Sequence, residues 1–156
     1  MTEVWKQDRI GAAERGENPT VIARMPSGYA VMGDTQFLRG YCVLLAVPQV
    51  AQLGDLPLAG RRAFLTDMAL LGDAIMAACT PAPRRINYEI LGNTDPFLHA
   101  HLFPRYDTEL PEYVRHPVWL YPRDCWRAPE YQFSEASHGA LKARIATKLH
   151  EFMRQP

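Results

Sequence analysis

The stretch 86–106, INYEILGNTDPFLHAHLFPRY, carries the densest pattern in the chain, and its alternation organises the segments around it. Taken as a β-strand, Phe97–Phe103 has a period of two. Phe97, His99, His101 and Phe103 then point to one face, and Leu98, Ala100 and Leu102 to the other. The aliphatic face packs on a core while two imidazoles stand side by side opposite it. Pro104 is expected to end the pairing because it has no N–H to donate, leaving Arg105 just past the stop.

Upstream, Ile86–Leu91 has the composition of a strand, and Gly92-Asn93-Thr94-Asp95-Pro96 that of a polar connection into the histidine strand. Joined as a hairpin, the two strands bring Asn87 and the polar loop groups near His99. Before them, Phe64, Met68, Leu71, Ile75 and Ala78 recur at spacings of four and three, the mark of one apolar stripe on a helix. Asp55 suits its N-cap, Pro57 its first turn, and Thr80-Pro81 its end. Thr20–Met25 and Tyr29–Met32 are expected to be strands turning through Pro26-Ser27-Gly28. Gly40 opens a third strand, Tyr41–Val47, which is apolar on both faces and therefore central in the sheet until Pro48 stops it. Asp34 lies in the small polar loop Gly33-Asp34-Thr35-Gln36 just before that strand, where its residue type alone suggests a turn former bonded to its own backbone.

At the N-terminus, Thr2 suits the cap of a short helix running to about Arg15, with Val4, Trp5 and Ile10 forming a weak stripe. At the other end, Leu141, Ile145, Leu149 and Phe152 mark an amphipathic helix within Ser134–Met153, although Gly139 weakens its first turn. Between Tyr106 and Gln132 the chain is rich in Pro, Tyr, Trp and Arg without periodicity. It is expected to be an ordered irregular segment that drapes over the site or joins a partner subunit.

A length of 156 residues suits one domain, 1–156, with 1–17 as a helical extension and 107–156 as an irregular segment plus helix. Seventeen basic and seventeen acidic residues cancel, so no global field draws the chain to nucleic acid or to an anionic membrane. The longest apolar run, Tyr41–Val47, is far short of the ~20 residues that span a bilayer. The first residues alternate charge and bulk, unlike a signal peptide. Cys42, Cys79 and Cys125 lack any C-x-x-C spacing, so they are expected to be reduced thiols in a cytoplasm.

Two imidazoles on one strand face offer a nucleophile and a general base or acid near neutral pH. Beside glycine-rich backbone and amides, the pair suits attack on phosphorus, one ring attacking while the other stabilises oxygens or helps the leaving group. H-x-H is also a metal-ligand spacing, with the third ligand then drawn from His116, Asp95 or a cysteine.

In these residues the chain resembles the histidine triad (HIT) superfamily. The hallmark there is H-x-H-x-H on a strand, preceded by a glycine and a small polar residue and in many members followed two residues later by Pro-Arg. Here Gly92-Asn93-Thr94 precedes, Phe97-Leu98-His99-Ala100-His101 occupies the triad, and Leu102-Phe103-Pro104-Arg105 follows. The likeness extends to Asn87-Tyr88-Glu89, to Gly33-Asp34-Thr35-Gln36-Phe37 and to Gly40-Tyr41-Cys42, covering roughly residues 18–106.

The resemblance implies an α+β fold, an antiparallel sheet of about five strands with one long central helix and a C-terminal helix, usually in a homodimer with two sites. It implies a hydrolase or nucleotidyl transferase in which His99 attacks the α-phosphate of a nucleotide and His101 contacts phosphate oxygen or assists the leaving group. Asn87, Asn93 and Thr94 match positions that bind phosphate or bridging oxygen, and Asp34 a position that holds ribose hydroxyls. The implied partner is a small nucleotide such as a dinucleoside polyphosphate or a nucleoside phosphoramidate. No tightly bound cofactor is implied, although a divalent metal can accompany the substrate phosphates.

Phe97 departs from the pattern, standing where the first histidine is usual. A nucleophilic imidazole needs its far nitrogen oriented by an acceptor, and a main-chain carbonyl at this position survives the change. Two alternatives stay open: a non-catalytic nucleotide-binding dimer, and a metal-binding protein using His99 and His101.

Overall fold

The computed structural model describes residues 3–155. Five strands, β1 (Val21–Met25), β2 (Gly28–Met32), β3 (Cys42–Ala46), β4 (Arg85–Glu89) and β5 (His99–Arg105), form one antiparallel sheet in the order β1-β2-β3-β5-β4. The α-helices are α1 (Arg9–Glu14), α2 (Leu58–Ala78), α3 (Arg123–Arg127) and α4 (Glu135–Met153). The architecture is α+β, with the long central helix and the C-terminal helix expected from the sequence.

α2 and α4 lie together on one face of the sheet. The stripe Phe64, Met68, Leu71, Ile75 and Ala78 is buried along α2, and Leu141, Ile145 and Leu149 along α4. They meet Leu44, Leu98, Ala100 and Leu102 from the sheet. Each large side chain removed from water there contributes about 1.5–3 kcal/mol, so this face carries most of the stability. Asp67, buried on α2, accepts from the backbone N–H of Ser27 at 2.8 Å and from its hydroxyl at 2.5 Å, pinning the helix to the β1–β2 turn.

The alternation read in the histidine stretch holds from His99 onward, whereas Phe97 lies in a bend and Leu98 precedes the strand instead of opening it. In register across the sheet, Val31, Val43, His101 and Glu89 form one row, and Tyr29, Leu45 and His99 the next. Both rows belong to the face turned away from α2 and α4. Ile10 of α1 packs on that same face against Val31 and Leu45.

Several boundaries differ. β5 runs on through Pro104, which is buried and pairs with Ile86. Beyond Leu102, which pairs with Cys42 at the start of β3, β5 has a strand neighbour on one side only, so a missing donor is tolerated. Asp55 does not cap α2: its carboxylate accepts from the backbone and side chain of Gln52, both at 3.2 Å, closing a 3-10 turn at Leu53–Asp55. Buried Leu56 and extended Pro57 intervene before the helix begins. The expected cap Thr2 lies outside the described residues. In the described N-terminal segment a 3-10 turn, Val4–Gln7, gives way at Asp8, whose side chain accepts from the Gly11 N–H at 3.0 Å and caps the short α1.

The segment after Tyr106 folds back over the histidine-bearing face. Thr35 bridges to Gln132, the Gln36 N–H donates to the Tyr131 carbonyl at 2.6 Å, and the Phe133 N–H to the Asp34 carbonyl at 2.8 Å. Among the described residues no helix is long and apolar enough to cross a membrane.

Candidate functional site

On the sheet face away from α2 and α4, a cavity of about 450 Å³ opens above the imidazoles. His99 and His101 stand on its floor with ring centroids 4.8 Å apart, nearly perpendicular. His99 is buried to 7% exposure, and its Nδ1 lies 2.8 Å from the carbonyl oxygen of Phe97. A carbonyl only accepts, so Nδ1 carries the proton and the lone pair sits on Nε2.

His101 is held the other way. Its Nδ1 lies 2.6 Å from the Tyr41 hydroxyl. Burial, above all, pushes the Tyr41 pKa well above the usual phenol value, so the hydroxyl keeps its proton, and with Nδ1 as its one hydrogen-bond partner among the described residues it donates there. Burial, and then the neighbouring His99, pull the His101 pKa down to about 4, so the ring is neutral at pH 7 and its remaining proton resides on Nε2. One ring thus offers a lone pair from Nε2 and its neighbour a proton donor. The Tyr41 ring stacks on Phe103 at 4.1 Å, and glycine at 33 makes room for it, since a Cβ there would fall 2.1 Å from the ring.

Asp34 reaches the cavity wall, but not as a turn former closing on its own backbone. Its two oxygens accept from Arg9 Nη1 at 2.9 Å and Nη2 at 2.6 Å. The loop that presents it is fixed by Gln36, whose side chain donates to the carbonyls of Gly33 and Tyr41 and accepts from the N–H of Gly40. Gly40 itself has φ +97°, a conformation that favours glycine. Asn93 and Thr94 line the cavity beside Gly92 and Asp95. The structure therefore brings His99, His101, Asp34, Asn93 and Thr94 to one cavity.

Asn87 is not among the lining residues. It shares the face of Phe103, with which it pairs, but its Oδ1 accepts from Arg105 Nη1 at 2.8 Å. Arg105 is buried and grips Glu109 through Nε and Nη2, and it also donates to the carbonyls of Tyr113 and His116. This knot holds the 107–121 segment against the sheet and seats Trp119 edge-on to His101 at 5.2 Å. Trp119 stacks on Trp126 at 5.0 Å and donates its indole N–H to Glu89, and the two indoles form one wall of the cavity.

Among the described residues no group of three or more His, Cys, Asp or Glu is arranged to hold a metal ion, and His116 does not line the cavity.

Sequence reasoning missed Arg9, Tyr41, Trp119 and Trp126 as site residues. Tyr41 was legible in principle, because the period of two along Tyr41-Val43-Leu45 sends it to one face with them, although nothing local says which face. Arg9 lies off the weak stripe of the N-terminal helix and the indoles in a segment without periodicity, and only tertiary contact brings them to the cavity.

No protein-family model matches the chain, and no curated protein matches it in sequence. Solved structures do match. A histidine triad protein from Marinobacter aquaeolei VT8 is 19% identical over 85% of this chain and 89% of its own, with a TM-score of 0.68. A histidine triad protein from Sinorhizobium meliloti 1021 is 19% identical over 86% and 93%, with a TM-score of 0.69. A hypothetical histidine triad nucleotide-binding protein from Sulfolobus tokodaii strain7 is 11% identical over 93% of both chains, with a TM-score of 0.69. At these identities the likeness is one of fold.

Proposed function

We propose that this chain, which has the fold of histidine triad proteins, binds a nucleotide and cleaves it at the α-phosphate through an adduct on His99. The observation that carries the reading is the Nδ1 contact of His99 with the Phe97 carbonyl, because it frees Nε2 for attack inside a cavity that Asn93, Thr94 and Asp34 also line. The Nε2 lone pair forms a P–N bond to the α-phosphorus as the bond to the leaving group breaks and takes its electron pair away. Water then attacks the same phosphorus, the P–N bond breaks back to His99, and the nucleoside monophosphate leaves with the water's oxygen. An acceptor other than water makes the protein a transferase.

His101 serves as a hydrogen-bond donor from Nε2 to a phosphoryl oxygen, where negative charge gathers in the transition state. Its neutrality bears on the substrate. A ring pulled to about 4 is a poor acid at pH 7, so the site favours a leaving group that departs without a proton from it. A phosphate leaving group, as in a dinucleoside polyphosphate, meets that condition better than the amine of a phosphoramidate. Asn93 and Thr94 supply polar contacts to phosphate and bridging oxygens, and Asp34 to the ribose.

Rapid denaturation during turnover of a dinucleoside polyphosphate, followed by mass spectrometry of the His99 peptide, tests this reading. Nucleoside monophosphate attached to His99, and no turnover in His99→Ala, are expected. No adduct together with unchanged turnover in His99→Ala overturns it, and nucleotide binding without turnover turns the assignment to a binding protein.

A further inference from the structure

We propose that Arg9, on the N-terminal helix, is the positioning residue that makes this site selective for ribose: it holds the Asp34 carboxylate in the orientation that accepts the two vicinal hydroxyls. The inference rests on the nucleotide reading above. Arg9 is not adventitious at this wall. Asp8 caps α1, buried Ile10 seats the helix on Val31 and Leu45, and the Asn18 side chain donates to the Arg9 carbonyl at 3.3 Å. The guanidinium lies over the Trp5 ring at 5.3 Å and is left 28% exposed at the cavity.

The fork takes one lone pair on each oxygen of Asp34. A carboxylate offers roughly four such sites, so about two remain, one on each oxygen, the pattern that a vicinal diol matches. Without the fork, the carboxylate turns about its own bond, and an ordered acceptor pair is lost. Arg9 has a second effect through charge. Among the described residues lining the cavity it is the one Lys or Arg, against the carboxylates of Asp34 and Asp95. An anionic nucleotide thus enters past a carboxylate that Arg9 neutralises. The two effects separate by substitution, because lysine keeps the charge but cannot reproduce the planar fork.

Calorimetry with adenosine and guanosine 5′-monophosphates and their 2′-deoxy forms tests the proposal in the full chain. The wild type is expected to prefer the ribonucleotide by about tenfold or more, the size of a lost hydrogen bond to a charged acceptor. Arg9→Lys keeps affinity for the 2′-deoxynucleotides within about threefold, yet its ribo/deoxy ratio falls to about that of Asp34→Asn, because ribonucleotide affinity drops by about tenfold. Arg9→Met loses the ratio and weakens binding of both forms. A ratio unchanged in Arg9→Lys overturns the role of Arg9 while leaving nucleotide binding intact. A wild type that binds nucleotides without preference overturns both Asp34 as ribose acceptor and the role of Arg9. A wild type that binds no nucleotide overturns the functional reading and this inference together. Arg9→Lys leaves the buried side chains of α1 untouched, and matching thermal melts confirm that each variant compared is folded.

Discussion

The Nδ1 atom of His99, the first residue of β5, and the carbonyl oxygen of Phe97, in the bend just before that strand, lie 2.8 Å apart. The group that sets the His99 tautomer is therefore main chain, and any side chain at 97 leaves it in place. Phe97→His is accordingly expected to change kcat/KM by less than about fivefold, on the order of 1 kcal/mol of transition-state stabilisation. Steady-state kinetics on a dinucleoside polyphosphate decides the matter, and a gain of two orders of magnitude would show that the missing third histidine limits the site.

Tyr41 is the donor that keeps a proton on Nε2 of His101. Tyr41→Phe retains the stack on Phe103 and deletes only the hydroxyl, so KM is expected to stay nearly constant while kcat falls by roughly 10- to 100-fold, as for loss of a partner that orients an active ring. The same change removes a hydrogen bond to the neutral ring, so the His101 pKa moves up toward its ordinary value. Titration of the imidazole by NMR reads that shift directly. An unmoved midpoint would mean that Tyr41 merely packs.

Acid should destabilise the fold partly through His101. Its folded pKa is about 4, against about 6.5 in an unfolded chain. Between those values the unfolded chain binds a proton that the folded chain refuses, so this contribution is complete above about pH 6.5 and is lost as the pH falls toward 4. Its size is on the order of 2–3 kcal/mol at most, reduced by the partial exposure of the ring. Urea midpoints at pH 7.5 and 4.5 should fall further in the wild type than in His101→Gln. Equal losses would assign the acid sensitivity elsewhere.

Arg105 holds the aromatic wall from beneath. Removing it by Arg105→Met leaves the Glu109 carboxylate buried without its cation, a change that costs about 3–5 kcal/mol. Beyond lower global stability, amide exchange is expected to accelerate across residues 107–121 well before it does in α2, because that segment hangs on the Arg105 bonds to Glu109, Tyr113 and His116. Exchange that rises evenly through the whole chain would contradict a local anchor.

Much of the scaffold was legible without coordinates because it depends on short-range periodicity. The four-and-three spacing from Phe64 to Ala78 names the buried stripe of a helix whatever it packs on, and the period of two from Phe97 to Phe103 puts both imidazoles on one face. Boundaries were less legible where a neighbour decides them. Pro104 continues its strand because β3, which starts at Cys42 opposite Leu102, does not flank it, and Asp55 turns back to Gln52 before α2 starts.

The sequence by itself determined that His99 and His101 share a strand face, that Leu98, Ala100 and Leu102 back them with a core, and that Asn93 and Thr94 lie in the loop leading to them. Only the tertiary structure decided which way each imidazole carries its proton, since the partners are the Phe97 carbonyl, which local sequence cannot orient, and Tyr41, sixty residues away. It also decided that Asp34 meets Arg9, that Asn87 is engaged by Arg105, and that two indoles wall the cavity. Periodicity is a property of neighbours along the chain, whereas hydrogen bonds and ion pairs between distant segments depend on how the elements dock.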